Sequence, residues 1–214
     1  MTLPRQARES RQSRVSGDMG GAWGSSSQDF LRLANVLFEK SAAYAKGVDG
    51  NCSVYTLAGI PMLLSALRCL LIELNAGMYS GSRSNTDVLA DLASTSNDIK
   101  FVLEHYAVSA ELKEQLQILF EVRNEIIHPA HRPAAERNNT PTYLSSLQQV
   151  GLLQSTGADT DYIWISQLQS HKLFTWAFTT ISSTVDILLR AHQVPEFIAN
   201  GLRESYSRYA NGDL

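Results

Sequence analysis

The chain has 214 residues, of which 44% are hydrophobic and 18% are charged, and this length favours one domain with a self-sufficient core. Its 18 basic and 21 acidic residues give a net charge of −3, which excludes a strongly basic nucleic-acid coat protein. The two cysteines, Cys52 and Cys69, are too few for a disulfide framework or a cysteine-based zinc cluster, so we expect a reducing, cytoplasmic location.

Residues 1–26 have the composition of a polar tail. They carry arginines without an apolar core, which is not the pattern of a secretion signal, and they end in a stretch rich in glycine and serine. We therefore expect residues 1–26 to form a flexible tail and residues 27–214 to form a single helical domain. The tail is either a solvated segment or a small electrostatic arm for an anionic partner.

Apolar residues at helical spacing predict two long helices at the start of this domain. The first covers residues 29–46, and the second covers residues 54–74 with Ser53 as its expected N-cap. The second segment is apolar enough to resemble a membrane span. However, Arg68 and Glu73 lie within it, and a charge near the centre of a bilayer costs about 3 kcal/mol. We therefore expect a buried bundle helix and no transmembrane segment.

Three further helices are predicted before residue 130. Two of them are short. One covers residues 86–95 with Thr86 as its expected N-cap, and the other covers residues 97–106 with Asn97 as its expected N-cap. The third begins at Ser109 and ends near His128, because Pro129 disfavours the helical conformation of the residue before it.

The C-terminal part of the chain continues the helical pattern. The predictions are a loop over residues 130–141, a helix over 143–153, a short extended piece over 162–165, a long helix over 170–191 and a short helix after Pro195. The chain shows no internal repeat, no sustained heptads and no alternation of strands and helices. The sequence thus predicts an all-α bundle.

A group of polar residues stands at the end of the helix that precedes Pro129. The apolar stripe of this helix is predicted as Leu112, Leu116, Leu119 or Phe120, and Ile127. Arg123 falls on the same stripe, while Asn124 and His128 are four residues apart and share a face. Arg123 and His128 are separated by about 140° on an ideal helix. Their convergence therefore needs either the break at Pro129 or a second copy of the chain across a two-fold axis.

The same residues also allow a purely structural interpretation. Arg123 could pair with Glu121 or Glu125, and His128 could simply cap the end of the helix. His128 and His131 are close in sequence, but no third ligand stands at a suitable spacing. No metal is therefore expected, and no cofactor is expected because the chain shows no nucleotide-binding glycine motif.

Arg123, Asn124 and His128 resemble the R-x4-H motif of the HEPN superfamily (higher eukaryotes and prokaryotes nucleotide-binding), whose members often place Asn directly after the Arg. The helical pattern over roughly residues 30–191 and the proline after the histidine are also similar to that family. The specific part of the resemblance is the six residues 123–128. It implies an up-and-down helical bundle of the HEPN kind, with extra helices at the C-terminal side.

The resemblance also implies a metal-independent endoribonuclease of the toxin or defence type, which cleaves RNA by attack of a ribose 2′-hydroxyl. His128 would then transfer the proton, Arg123 would neutralise charge on the phosphate, and Asn124 would orient the imidazole or hold a phosphate oxygen. The implied partners are RNA, a second copy of the chain in a homodimer, and an antitoxin or nucleotidyltransferase-like protein. The alternative is a non-catalytic HEPN-like module that binds a nucleotide, RNA or a protein through the same groove.

Overall fold

The computed structural model describes residues 26–47, 52–79, 85–94, 98–128, 145–154 and 164–210, and within them it confirms the all-α prediction. The predicted N-terminal tail (apart from Ser26) and the predicted loop over residues 130–141 lie outside these ranges. The helices of the described part are α1 (Ser26–Gly47), α2 (Tyr55–Asn75), α3 (Thr86–Ser94), α4 (Asp98–His105), α5 (Ala110–Ile127), α6 (Ser145–Gln149), α7 (His171–Ala191) and α8 (Glu196–Ser207). A short 3₁₀ helix over Trp164–Leu168 precedes α7.

The second helix, α2, lies at the centre of the bundle. It packs most extensively against α1 and also contacts α3, α5 and α7. Its buried leucines are Leu63, Leu64, Leu67, Leu70, Leu71 and Leu74. These leucines cover more than one face of the helix, because a helix with neighbours on several sides must be apolar nearly all round. This position explains the long apolar run in the sequence.

Helices α2 and α7 approach each other closely at Gly59. A Cβ atom added to Gly59 would lie 2.0 Å from Cζ of Phe174, so the site has no room for a side chain. Phe174 and Phe178 of α7 also meet Phe38 of α1 edge-on, with ring centroids 5.2 and 5.1 Å apart. These contacts join α1, α2 and α7 into the core against which α5 packs.

By length and composition α2 could cross a membrane, but 61% of its most apolar 18-residue window is buried inside the molecule. Its charged side chains have partners within the bundle. Nη2 of Arg68 donates to the carbonyl oxygen of Leu92 at 3.1 Å, and the Glu73 carboxylate accepts from Ser27 and from the Tyr79 hydroxyl at 2.6 to 2.9 Å. These are the contacts of a helix buried in the bundle, as the sequence predicts.

Two of the expected N-caps are wrong, and a third, Asn97, lies outside the described residues. The N-cap of α2 is Val54, and the hydroxyl of the preceding residue, Ser53, makes no capping hydrogen bond. The backbone N–H of Ser53 donates to the carbonyl oxygen of Gln169 at 2.8 Å. Helix α3 is capped by Asn85, whose Oδ1 accepts from the N–H of Val88 at 3.2 Å, so Thr86 lies inside the helix. In both places the cap is displaced by one residue.

Two predictions in the C-terminal part also differ from the structure. The helix expected over residues 143–153 is shorter, since α6 covers only Ser145–Gln149 within the described part. The extended piece expected over residues 162–165 is wrong at Trp164 and Ile165, which begin the 3₁₀ helix. The long helix α7 and the terminal helix α8 occur where they are predicted.

Candidate active site

Helix α5 carries the candidate site at its C-terminal end, and both of its ends match the sequence prediction. At the start, the Ser109 hydroxyl oxygen accepts from the N–H of Leu112 at 3.2 Å. At the other end, the N–H of His128 donates to the carbonyl oxygen of Asn124 at 2.7 Å. His128 itself has φ −127° and ψ 66°, so its backbone has left the helical region, as expected for a residue before a proline.

The buried stripe of α5 differs from the predicted one near this end. Its buried residues are Leu112, Leu116, Leu119, Val122 and Glu125. From Leu119 onward the stripe advances in steps of three residues, and each such step falls about 60° short of a full turn. The face that packs on α2 and α7 therefore turns away from Ile127, which is 40% exposed, and from Arg123, which is half-buried. Arg123 lies beside the core stripe rather than on it.

The residues predicted for the site line one open surface pocket of about 380 Å³. Its walls are formed by Phe120, Arg123, Asn124, Glu125 and His128. The structure therefore brings Arg123, Asn124 and His128 together within a single chain. The backbone of His128 has left the helical region, so the separation of about 140° that an ideal helix imposes between Arg123 and His128 does not hold here.

Arg123 and Asn124 are joined directly. Nη1 of Arg123 donates to Oδ1 of Asn124 at 3.0 Å. This partner differs from Glu121 and Glu125, which the structural interpretation of the sequence named. The Asn124 amide oxygen accepts from the guanidinium and not from the imidazole, while the other role expected of Asn124, to hold a phosphate oxygen, stays a prediction. The bond fixes one edge of the guanidinium and leaves its other N–H groups for an anion in the pocket.

His128 presents a solvent-accessible imidazole to this pocket. A histidine imidazole exchanges protons near neutral pH, and a guanidinium binds phosphate or carboxylate oxygens in a fork-like geometry. Arg123, Asn124 and His128 therefore supply a fixed positive charge, an amide and a proton-transfer group within one pocket, which the Glu125 carboxylate also lines. The guanidinium and the imidazole are suited to an anionic ligand whose reaction needs a proton to move.

The sequence missed two residues of this pocket. Packing places Phe120 and Glu125 there. The only signal in the sequence is their spacing, since Phe120 precedes Arg123 by three residues and Glu125 directly follows Asn124. Among the described residues, no three histidine, cysteine, aspartate or glutamate side chains are grouped so that they could hold a metal ion. The function has to be inferred from this geometry, because comparisons of the chain with protein-family models, with curated proteins and with solved structures find no match.

Proposed function

We propose that this chain is a metal-independent endoribonuclease and that the pocket at the end of α5 is its active site. The observation that supports the proposal is that Arg123, Asn124 and His128, the residues singled out by the R-x4-H resemblance, line one open pocket in one chain. The imidazole is exposed there, and the guanidinium is held by Asn124. Both groups are thus accessible to a phosphodiester.

The proposed reaction is an internal transesterification of RNA. The ribose 2′ oxygen forms a bond to the adjacent phosphorus, and the bond from phosphorus to the 5′ oxygen of the next nucleotide breaks. His128 accepts the proton of the 2′-hydroxyl, and a proton returns through the imidazole to the departing 5′ oxygen. The products are a 2′,3′-cyclic phosphate and a free 5′-hydroxyl, with no change of oxidation state.

Arg123 stabilises the charge that grows on the phosphorus oxygens during this step. A guanidinium that is already oriented in the free protein needs little rearrangement when the transition state forms, and this preorganisation is a large part of electrostatic catalysis. The bond from Arg123 to Asn124 supplies that orientation. In this proposal Asn124 is a positioning residue whose effect on the reaction passes through Arg123.

The biological setting follows from the resemblance to the HEPN superfamily and belongs to the same proposal. The chain acts as a toxin-like or defence ribonuclease in the cytoplasm, and an antitoxin or a nucleotidyltransferase-like protein controls it. A non-catalytic HEPN-like module would use the same pocket to bind a nucleotide, RNA or a protein without cleavage.

The experiment that tests the proposal is incubation of the purified chain with a mixed RNA substrate in the presence of EDTA. We expect cleavage at the same rate with and without the chelator, and products that end in 2′,3′-cyclic phosphate. Cleavage that requires a divalent metal, or products with 3′-hydroxyl ends, would contradict the mechanism. RNA that binds but stays intact would favour the non-catalytic module.

The structure changes the reason for expecting a homodimer. The sequence argument invoked a second chain to bring an arginine and a histidine together, but one chain already places Arg123 and His128 in the same pocket. A homodimer remains part of the proposal as a way to set two complete sites beside each other. Co-expression of His128→Ala and Arg123→Ala chains distinguishes a site shared between two chains from a complete site in each chain. A shared site should restore cleavage in the mixed dimer. A complete site in each chain should give no cleavage.

A further inference from the structure

A second pocket lies directly next to the candidate active site. It lies between α4 and α5, has a volume of about 230 Å³, and is lined by Ile99, Lys100, Leu103, Gln117, Phe120 and Glu121. The half-buried residue Phe120 lines both pockets, so the two pockets adjoin at this residue. A ligand in one pocket can therefore continue into the other along the surface of α5.

The composition of this second pocket suits one flat ring system. Ile99, Leu103 and Phe120 supply apolar surface, while Lys100, Gln117 and Glu121 bring polar groups to the same pocket. Its volume is below the range of about 300–1,000 Å³ that is typical of pockets for drug-sized ligands. A single base fits this description better than a whole nucleotide.

We infer that the pocket between α4 and α5 is a base subsite that prefers guanine in the nucleotide next to the scissile phosphate. The inference rests on the proposed function, because it takes the phosphate to be held by Arg123 in the adjoining pocket. Phe120 stands where the ligand passes from one pocket to the other, and an aromatic ring there stacks on a base.

The polar groups of the pocket distinguish guanine from the other bases. Guanine presents two neighbouring N–H donors, at N1 and N2, beside its O6 acceptor, and a carboxylate with two oxygens can accept from both donors. Glu121 offers this carboxylate, while Lys100 and Gln117 carry N–H donors for O6. Adenine places the N1 lone pair where guanine has its N1–H, so its N1 would face the Glu121 carboxylate unfavourably.

The two pockets differ in their basic group and not in net charge. Lys100 and Glu121 line one pocket, and Arg123 and Glu125 line the other. The Arg123 guanidinium can bind two phosphate oxygens at once and shares its pocket with His128, whereas the Lys100 ammonium pairs with Glu104 at 3.6 Å. The phosphate is therefore assigned to the pocket at the end of α5 and the base to the other side of Phe120.

The test uses two dinucleotides that lack 2′-hydroxyl groups and so cannot be cleaved, one with guanine at both positions and one with adenine at both positions. Isothermal titration of the intact chain should show at least about tenfold tighter binding of the guanine dinucleotide, a difference of about 1.4 kcal/mol. Glu121→Gln should abolish this preference or shift it toward adenine, because a side-chain amide pairs well with adenine.

Two further variants keep this result specific. Glu114→Gln makes the same chemical change on an exposed residue two turns earlier on α5, outside both pockets, and should leave the preference unchanged. Phe120→Leu keeps an apolar side chain against α4 but removes the aromatic ring. It should weaken both dinucleotides by about five- to tenfold or more without changing their ratio.

The outcomes separate this inference from the proposed function. Equal binding of the two dinucleotides, no binding of either, or an unchanged preference in Glu121→Gln overturns the base subsite, even when the protein cleaves RNA. A guanine preference that depends on Glu121 supports the subsite, and when RNA then remains uncleaved it is the ribonuclease proposal that fails.

Discussion

The C-terminal ends of α5 and α7 share one local feature and have different surroundings. Each helix is followed by a histidine C-cap, His128 or His192, whose backbone N–H donates to the carbonyl oxygen four residues earlier, at 2.7 and 3.0 Å. The similarity ends with the side chains. His128 is exposed in the candidate active site, and His192 is half-buried between helix ends.

His192 is part of a hydrogen-bonded chain that links three helices. Its Nε2 lies 2.8 Å from the Tyr106 hydroxyl at the end of α4, and Nδ2 of Asn75 on α2 donates to the same hydroxyl at 3.3 Å. Burial lowers the pKa of His192 and raises the pKa of Tyr106. A neutral imidazole accepts a hydrogen bond from the Tyr106 hydroxyl, and this bond satisfies both groups.

The comparison shows that the C-cap position of a histidine does not by itself decide its use. The backbones of the two residues differ, with ψ 66° at His128 and 3° at His192, and so do the groups that contact their rings. The end of α4 places Tyr106 against His192, so that imidazole serves as a structural acceptor, while His128 faces an open pocket together with Arg123.

The largest expected effect distinguishes the two histidines by activity. His128→Ala should reduce RNA cleavage by about 100-fold or more, because it removes the proton-transfer group. His192→Gln should leave cleavage within about twofold of the unchanged protein, since it lies outside the pocket. Cleavage is measured on a fixed RNA substrate, and circular dichroism confirms that both variants fold. A folded His128→Ala protein with full activity would contradict the assignment.

The next effect concerns the charge beside His128. Arg123→Lys keeps a positive charge but loses the fork-shaped pair of donors, so cleavage should fall by about tenfold, and Arg123→Ala should lower it by about 100-fold. The readout is kcat at saturating RNA. Arg32→Lys on the exposed face of α1 provides the matched control and should have no effect. Equal activity of the Lys variant and the unchanged protein would show that only charge is needed.

A smaller effect is expected on stability at the other histidine. Tyr106→Phe removes the hydroxyl shared by Asn75 and His192 and leaves the half-buried imidazole without its donor, which should cost about 1–2 kcal/mol of unfolding free energy. Tyr44→Phe changes a tyrosine that is 40% exposed and should cost less than about 0.5 kcal/mol. Urea denaturation measures the free energy of unfolding of both variants. Equal values would contradict a structural role for the hydrogen bonds between Asn75, Tyr106 and His192.

The smallest expected effect is the pH dependence that His192 adds to stability. Because the folded protein lowers its pKa, the unfolded chain binds more protons in the pH range just below about 6.5, and the free energy of unfolding decreases as the pH falls through that range. His192→Gln should flatten this slope in urea denaturation series. Part of the slope should remain, since burial and Lys46 lower the pKa of His171 in the same direction. An unchanged slope would contradict the prediction.

Much of the fold follows from local patterns. Helical spacing predicts α1, α2, α5, α7 and α8, and Ser109 and Pro129 bound α5 by simple backbone chemistry. The displaced cap at Ser53 shows where local rules fail. Ser53 is tied by its backbone to Gln169, a residue more than one hundred positions away, and no local pattern contains that contact.

In the candidate site, too, some features follow from local sequence and others depend on tertiary packing. The sequence alone determined that Arg123, Asn124 and His128 stand at the end of a helix that must stop before a proline, because spacing and proline stereochemistry act within a few residues. Only the tertiary structure decided that Arg123 lies beside the core stripe and bonds to Asn124, that Phe120 lines two adjoining pockets, and that His192 is covered while His128 is open. The physical reason is that burial depends on which helices pack together, and those contacts join residues that are distant in the chain.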